Sequence, residues 1–342
     1  MEYLLLAGGA LFGWAYGANF FVTLFGPAVS TGSVKWRTAT VIAAFFIVFG
    51  AATMGVGGIP SVRSLHLVNG LTGSTLLTNA SLACIGLLVS GFTVCLMTYF
   101  GIPISANQCI TGALLGWGIL NASDWSQNMP EFIKLGVTWV LNPLFSCLTC
   151  CVIVLLYNKT IKERVEHSPK SKTITKWGYL VVGSYVSFSC GVRDSFTMFR
   201  LYLDDLPFPN ILNDYSNFKL VVTMGGVMIA IGILTCSRRV TRSVGEEIAP
   251  VTPQEGLLVM LAVGITIFVF GSPRIGINIP ISAPLCIVGA IAGVGLSKGW
   301  RCINRKKIGQ IFLAWIASPA ISGLLMFLVS LFYRPADLVV LW

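Results

Sequence analysis

Charge is what this sequence has least of. Asp, Glu, Lys and Arg make up 11% of the residues, where soluble domains carry about a quarter. No stretch is polar enough to form a soluble domain of useful size, which argues against a water-soluble enzyme. Histidine is almost absent: His66 and His167 are the only two, both in loop regions. A histidine-built metal centre or catalytic base therefore has no material to use. The sequence also lacks a phosphate-cradling nucleotide loop, a nucleic-acid motif and a nucleophile paired with a base. No metal, no cofactor and no nucleic-acid partner is expected. Ten cysteines are present, most of them inside apolar segments, and Cys147 and Cys150 form a C-x-x-C with Cys151 alongside. These are read as small apolar residues between packed helices.

Apolar residues dominate instead. They account for 55% of the chain, and mean hydropathy is +0.81. Apolar runs of about 20 residues recur from end to end, the length that a bilayer-spanning helix needs. The predicted spans are 3–27, 37–57, 76–100, 104–121 and 132–157, then 177–199, 217–236, 254–271, 280–297 and 310–333. The opening MEYLLLAGGALFGWAYGAN has no basic region before its apolar run, so it reads as a first membrane helix and not a cleaved leader.

One phrase is written twice. Residues 101–116 read GIPISANQCITGALLG and residues 278–293 read NIPISAPLCIVGAIAG, with Pro103 and Pro280 177 residues apart. After each copy comes Trp-x-x-x-Pro-x-x-Ser: Trp139, Pro143 and Ser146, then Trp315, Pro319 and Ser322, all at an offset of 176. Before each copy lies a span that we expect to be interrupted, at Gly17-Ala18-Asn19 and at Gly191-Val192-Arg193-Asp194. The chain is therefore read as a first repeat over 1–157, a basic linker over 158–176 and a second repeat over 177–342. Five crossings per repeat would turn the halves upside down relative to each other. Charge agrees: Lys and Arg crowd the 158–176, 238–242 and 298–307 loops, while Arg63, Arg200, Arg274 and Arg334 lie on the opposite side with the acidic loops 121–131 and 200–216. The basic side belongs in the cytoplasm, which puts both termini outside. The expected fold is an all-α polytopic membrane protein of two inverted-topology repeats, with broken or re-entrant helices at the midplane.

The repeated phrase also suggests chemistry. Ser105 and Ser282 each stand where a helix begins, and serine is a strong helix N-cap. Ser105-Ala106-Asn107-Gln108 fits a capping box. A helix starting inside the membrane presents free N–H groups and a positive dipole end, which together attract an anion. Two such starts from inverted copies would close on one small oxyanion near the midplane. The alternative is that each Pro-Ile-Ser merely starts a helix at the interface. Asn19 offers an amide nearby. Arg193 and Asp194 form an ionisable pair inside an apolar span, which requires a partner or a wet cavity. Arg193 would hold an anion through its fork of donors, and Asp194 would take a proton or a cation, unless the two form a purely structural pair. The candidate substrate residues are thus Ser105, Ala106, Asn107, Gln108, Ser282, Ala283, Asn19 and Arg193; the candidate coupling residues are Asp194 and Asn19.

These motifs, in this order, resemble the PiT family of inorganic phosphate transporters, including its CysP-type sulfate permease branch. The family carries two Gly-Ala-Asn-Asp breaks and two Pro-Val-Ser-Thr-Thr-His-like segments. Here they correspond to Gly17-Ala18-Asn19-Phe20, Gly191-Val192-Arg193-Asp194, Pro103-Ile104-Ser105-Ala106-Asn107-Gln108 and Pro280-Ile281-Ser282-Ala283-Pro284-Leu285. Val244-Gly245-Glu246-Glu247-Ile248 followed by Thr252-Pro253 also looks like the family's cytoplasmic approach to its second segment. The resemblance implies a secondary transporter in the plasma (inner) membrane, a homodimer, that imports an inorganic tetrahedral oxyanion with H+ or Na+. Two departures tilt the expectation. Phe20 stands where the family has an acid, and Arg193 replaces an Asn. The paired acids that serve sodium coupling are thus broken, which favours sulfate with protons over phosphate with sodium. A non-transporting anion sensor or assembly protein is the alternative of another class.

Overall fold

The computed structural model describes residues 2–55, 80–121, 129–198, 215–271 and 281–332. Pro280, the arginines 63, 200, 274 and 334, and most of the acidic loops lie outside them. Among the described residues there is no β-strand. The helices are α1 (Glu2–Ser30), α2 (Trp36–Met54), α3 (Ala80–Tyr99), α4 (Ala106–Asn121), α5 (Met129–Thr160), α6 (Lys162–Glu166), α7 (Ser171–Asp194), α8 (Tyr215–Cys236), α9 (Arg238–Glu247), α10 (Pro253–Gly271), α11 (Ala283–Lys298) and α12 (Arg305–Phe332). Each span expected from hydropathy corresponds to one helix. Trp36–Met54, Phe132–Thr160, Tyr215–Cys236 and Arg305–Phe332 are long and apolar enough to cross a membrane. The protein is an integral membrane protein.

A helix suits lipid because it satisfies its own backbone groups. Buried hydroxyls follow the same rule by folding back one turn: Thr93 donates to the Val89 carbonyl, Ser187 to Gly183 and Thr266 to Ala262. The repeated segments are the exception in length. At 16 residues each, α4 and α11 are about 24 Å long, short of a hydrocarbon core of about 30 Å.

The expected interruption at Gly17-Ala18-Asn19 is not there. α1 runs unbroken from Glu2 to Ser30, through Pro27. Gly17 serves close approach instead: a Cβ on it would run into the Ile229 carbonyl of α8. The second interruption falls just after the expected residues, where α7 ends at Asp194 and a 3-10 turn, Ser195–Met198, takes over. Gly191 repeats the role of Gly17, lying against the Ile47 carbonyl of α2.

These contacts are reciprocal. The first helix of the front half (α1) crosses the second helix of the rear half (α8), and the first helix of the rear half (α7) crosses the second helix of the front half (α2). The repeated helices do the same: Gly112 of α4 lies on the Pro319 carbonyl of α12, and Gly289 of α11 lies on the Pro143 carbonyl of α5. α1 and α7 run in opposite directions, since Tyr16 meets Asp194 at one end and Phe25 meets Gly183 further along.

Candidate functional site

The chain preceding α4 is held on every side. The turn that closes α3 after Tyr99 passes through Gly101, whose φ of +69° suits glycine and few other residues. The Gly101 N–H reaches the Thr98 carbonyl at 3.0 Å and the Ile102 N–H reaches the Met97 carbonyl at 2.9 Å, a Schellman closure. Pro103 then prevents the helix from resuming. Asn19 bridges the extended stretch: its Nδ2 donates to the Ile102 carbonyl at 3.0 Å and to Thr98 Oγ1 at 2.9 Å, and its Oδ1 accepts from the Ile104 N–H at 3.0 Å. From the far end of the sequence, the Trp315 indole N–H donates to the Pro103 carbonyl at 2.9 Å. Trp315 stands ten residues into α12, about 15 Å from its start. The turn is thus tied to a point well inside α12, with the Ile102 and Pro103 carbonyls and the Ile104 N–H all engaged.

What is left over is the first turn of α4. Its leading N–H groups have no carbonyl one turn back. Ser105, Ala106 and Gln108 are buried. The Ser105 N–H lies 3.4 Å from Gln108 Oε1, the reach-back half of the capping box. Gln108 Nε2 is buried with no partner. Asn107 is exposed, since one step along a helix turns a side chain by about 100° away from its buried neighbour.

The second copy is thinner. Ser282 sits at the N-cap of α11 with φ −106° and ψ 105°, but makes no capping bond. The reason is local. An N-cap hydroxyl normally accepts from the second or third N–H of its helix. Pro284 has none, and the Leu285 N–H is taken by the Ser282 carbonyl at 3.1 Å. Ser282 Oγ is left buried without a partner, and Ala283 beside it is buried too. α11 packs against α1, so α1 borders both repeated segments. Thr23 Oγ1, one turn beyond Asn19, is also buried and unpartnered.

Arg193 and Asp194 face each other and not the repeated segments. Arg193 Nε lies 2.9 Å from Asp194 Oδ1, and Nη2 lies 3.4 Å from Oδ2. The Asp194 side chain is 16% exposed and that of Arg193 51%. Tyr16 OH donates to Asp194 Oδ2 at 2.9 Å, and the Tyr16 ring stacks on Phe20 at 4.8 Å. Asp194 therefore joins α1 one turn before Asn19, with both its oxygens engaged.

Two features escaped sequence reading. Trp315 stood out only as a mark of duplication, and its bond to Pro103 spans 212 residues. A half-buried ion pair joins α10 to α11: Lys298 Nζ contacts Glu255 Oε2 at 2.6 Å and the Pro250 carbonyl at 2.7 Å. Glu255 also accepts from the Thr252 N–H at 2.8 Å, capping α10. Among the described residues, no group of His, Cys, Asp and Glu is placed to hold a metal ion.

An all-helical membrane bundle with buried, unmatched polar groups beside two repeated helix starts is the setting in which family membership makes the protein a transporter, not an enzyme. The model described as the phosphate transporter family matches residues 16–326, and the chain belongs to that family. It is 26% identical over 341 residues to the sulfate permease CysP of Bacillus subtilis, covering 98% of this chain and 89% of that one. It is 23% identical over 315 residues to an inferred phosphate permease of Methanocaldococcus jannaschii, covering 92% of each. Its fold is similar to a solved structure titled the sodium-dependent phosphate transporter, with TM-score 0.72 and 18% identity, covering 98% of this chain and 100% of the other.

Proposed function

We propose that the protein imports an inorganic tetrahedral oxyanion, sulfate ahead of phosphate, by proton-coupled symport. The observation that carries this reading is the character of the free groups. Gln108 Nε2 and Ser282 Oγ are buried without partners, and the first N–H groups of α4 flank Gln108. These groups can all donate. A ligand that only accepts fits them, and sulfate, fully ionised near neutral pH, only accepts. Phosphate near neutral pH keeps at least one P–OH, which needs an acceptor such as a carboxylate. Ser105, Ala106, Gln108, Ser282 and Ala283 would surround the anion, and Asn107, on the exposed side of the helix, would not. Asn19 would act by holding the turn in place, and Arg193 would supply positive charge from the neighbouring end of α7.

The coupling reading rests on Asp194. Phe20 occupies the position where a first acid is expected, and Asp194 is already paired with Arg193 and Tyr16. With Phe20 there, α1 offers Asp194 no second carboxylate at that position for a paired sodium site. The reciprocal contacts of the two halves and the opposed course of α1 and α7 support inverted repeats over 1–157 and 177–342, rocking about a shared midplane site. The basic loops would face the cytoplasm.

Purified protein in liposomes tests this with labelled sulfate and labelled phosphate, under sodium and pH gradients imposed separately. Sulfate uptake driven by a pH gradient, and weakened by Gln108→Leu and Ser282→Ala, is the expected result. Strong sodium-driven phosphate uptake would sink the preference. Binding without flux of either anion would favour a non-transporting sensor.

A further inference from the structure

Beside this site the molecule holds an open cavity of about 1060 Å³, lined from α1, α2, α3, α8 and α9. Its walls and its rim differ in chemistry. The walls are apolar, formed by Trp14, Val29, Phe92, Leu96 and Tyr99. Phe92 and Tyr99 are among the most exposed large side chains of α3, so the cavity opens sideways on a face that meets the membrane. The rim is α9, a short helix of two faces. Val240, Thr241 and Val244 are buried against the bundle, while Arg238, Arg239 and Arg242 are exposed and border the cavity.

The three arginines are not equally committed. Arg239 is fixed, its guanidinium 4.6 Å above the Tyr99 ring and its Nη1 3.1 Å from the Tyr99 carbonyl. Arg242 pairs with Glu246 at 3.1 Å, an exposed contact of the kind worth little in water. Arg238 has no carboxylate partner among the described residues. Three cations and the single carboxylate of Glu246 border the rim, an excess of positive charge directly beside an apolar slot.

We infer that this groove holds an anionic phospholipid, its phosphate on Arg238 and Arg242 and one acyl chain against Trp14, Phe92 and Tyr99. The apolar walls would gain nothing from a free inorganic anion. A zwitterionic headgroup would bring an ammonium to a rim already in cationic excess. Aromatic rings beside basic residues are the usual arrangement for lipid anchoring. Ala18 and Thr98 also line the cavity. Thr98 bonds Asn19 and Ala18 precedes it, so a lipid in the groove braces the two helices that hold the turn before α4.

The test uses the whole protein in neutral detergent, with phosphatidylglycerol or phosphatidylcholine added and retention read by native mass spectrometry. Phosphatidylglycerol should be retained preferentially. Each Arg→Gln change at positions 238 and 242 should lower its retention about fivefold, as expected for a cation near a charged headgroup, while Lys172→Gln on another basic segment should not. Equal retention by R238Q/R242Q and the unaltered protein, or equal loss with Lys172→Gln, would overturn the inference. A second readout needs no mutation. Cys236 is exposed and lines the cavity, and its maleimide labelling, mapped by peptide, should slow with phosphatidylglycerol and not with phosphatidylcholine. If sulfate or phosphate alone protects Cys236 and phosphatidylglycerol does not, the groove is an anion passage and the lipid reading falls.

Discussion

Asn19 grips Ile104 across 85 residues of sequence, accepting its N–H at 3.0 Å while donating to the Ile102 carbonyl on the other side of Pro103. One amide thus replaces the strand partner that this extended stretch lacks. Asn19→Leu leaves a backbone N–H and a carbonyl buried and unpaired, each costing about 1–3 kcal/mol. The variant should lose thermal stability and, in the fraction that folds, nearly all anion uptake. Uptake per folded molecule, from fluorescence-detected chromatography and liposome flux, checks this. Unchanged uptake would show that the turn holds without the amide.

Trp315 offers a milder probe. Trp315→Phe keeps a ring and deletes the N–H that reaches Pro103. Losing one buried bond of this kind costs about 1–2 kcal/mol. A lowered melting temperature with a raised KM for the anion is expected, because the carbonyl it releases belongs to the turn that aims α4. A change in stability with no change in KM would separate this bond from the site.

The Lys298–Glu255 pair predicts a non-additive result. Glu255 is almost fully buried while Lys298 is partly exposed, so Lys298→Met leaves a carboxylate without its partner at a loss below the about 3–5 kcal/mol of a fully buried pair. Glu255→Gln alone should be milder, because the amide oxygen still accepts from Thr252. The double variant should recover part of the loss. A double-mutant cycle on thermal unfolding measures the coupling; simple additivity would mean the pair is solvated and weak.

Arg193 and Asp194 predict an asymmetry. Arg193 is half exposed and Asp194 is not, so Arg193→Gln should fold in near-normal yield while reducing anion affinity. Asp194→Asn keeps a partner for Tyr16 but removes the ionisable group, so it should uncouple flux from the pH gradient. If Arg193→Gln misfolds and adding Asp194→Asn restores yield, the pair serves only the fold.

Much of this was legible in the sequence, for a physical reason. Membrane helices are written as long apolar runs, and all ten predicted spans have helical counterparts. Pro103, Pro280 and the paired tryptophans also read as a duplication, which we keep as a proposal that the reciprocal helix contacts support. The misreading at Gly17-Ala18-Asn19 came from treating small and polar residues as helix breakers. Within a bundle, glycine admits a neighbouring backbone and asparagine bonds across helices, so α1 continues. Asn107 looked equivalent to Gln108 because adjacency in sequence hides the turn of the helix. The Trp315 contact was illegible because nothing local in α12 records which carbonyl its indole meets.

The interlocked glycines have one more consequence. Gly17, Gly191, Gly112 and Gly289 each seat their helix on a carbonyl from the opposite half of the chain. At these four places each half completes the packing of the other. A ribosome that has released only the front half has made an object with bare grooves, and those grooves wait for the rear half to arrive. Assembly is then a handshake between two translation products joined by a basic tether, and a chain cut within that tether should still shake hands.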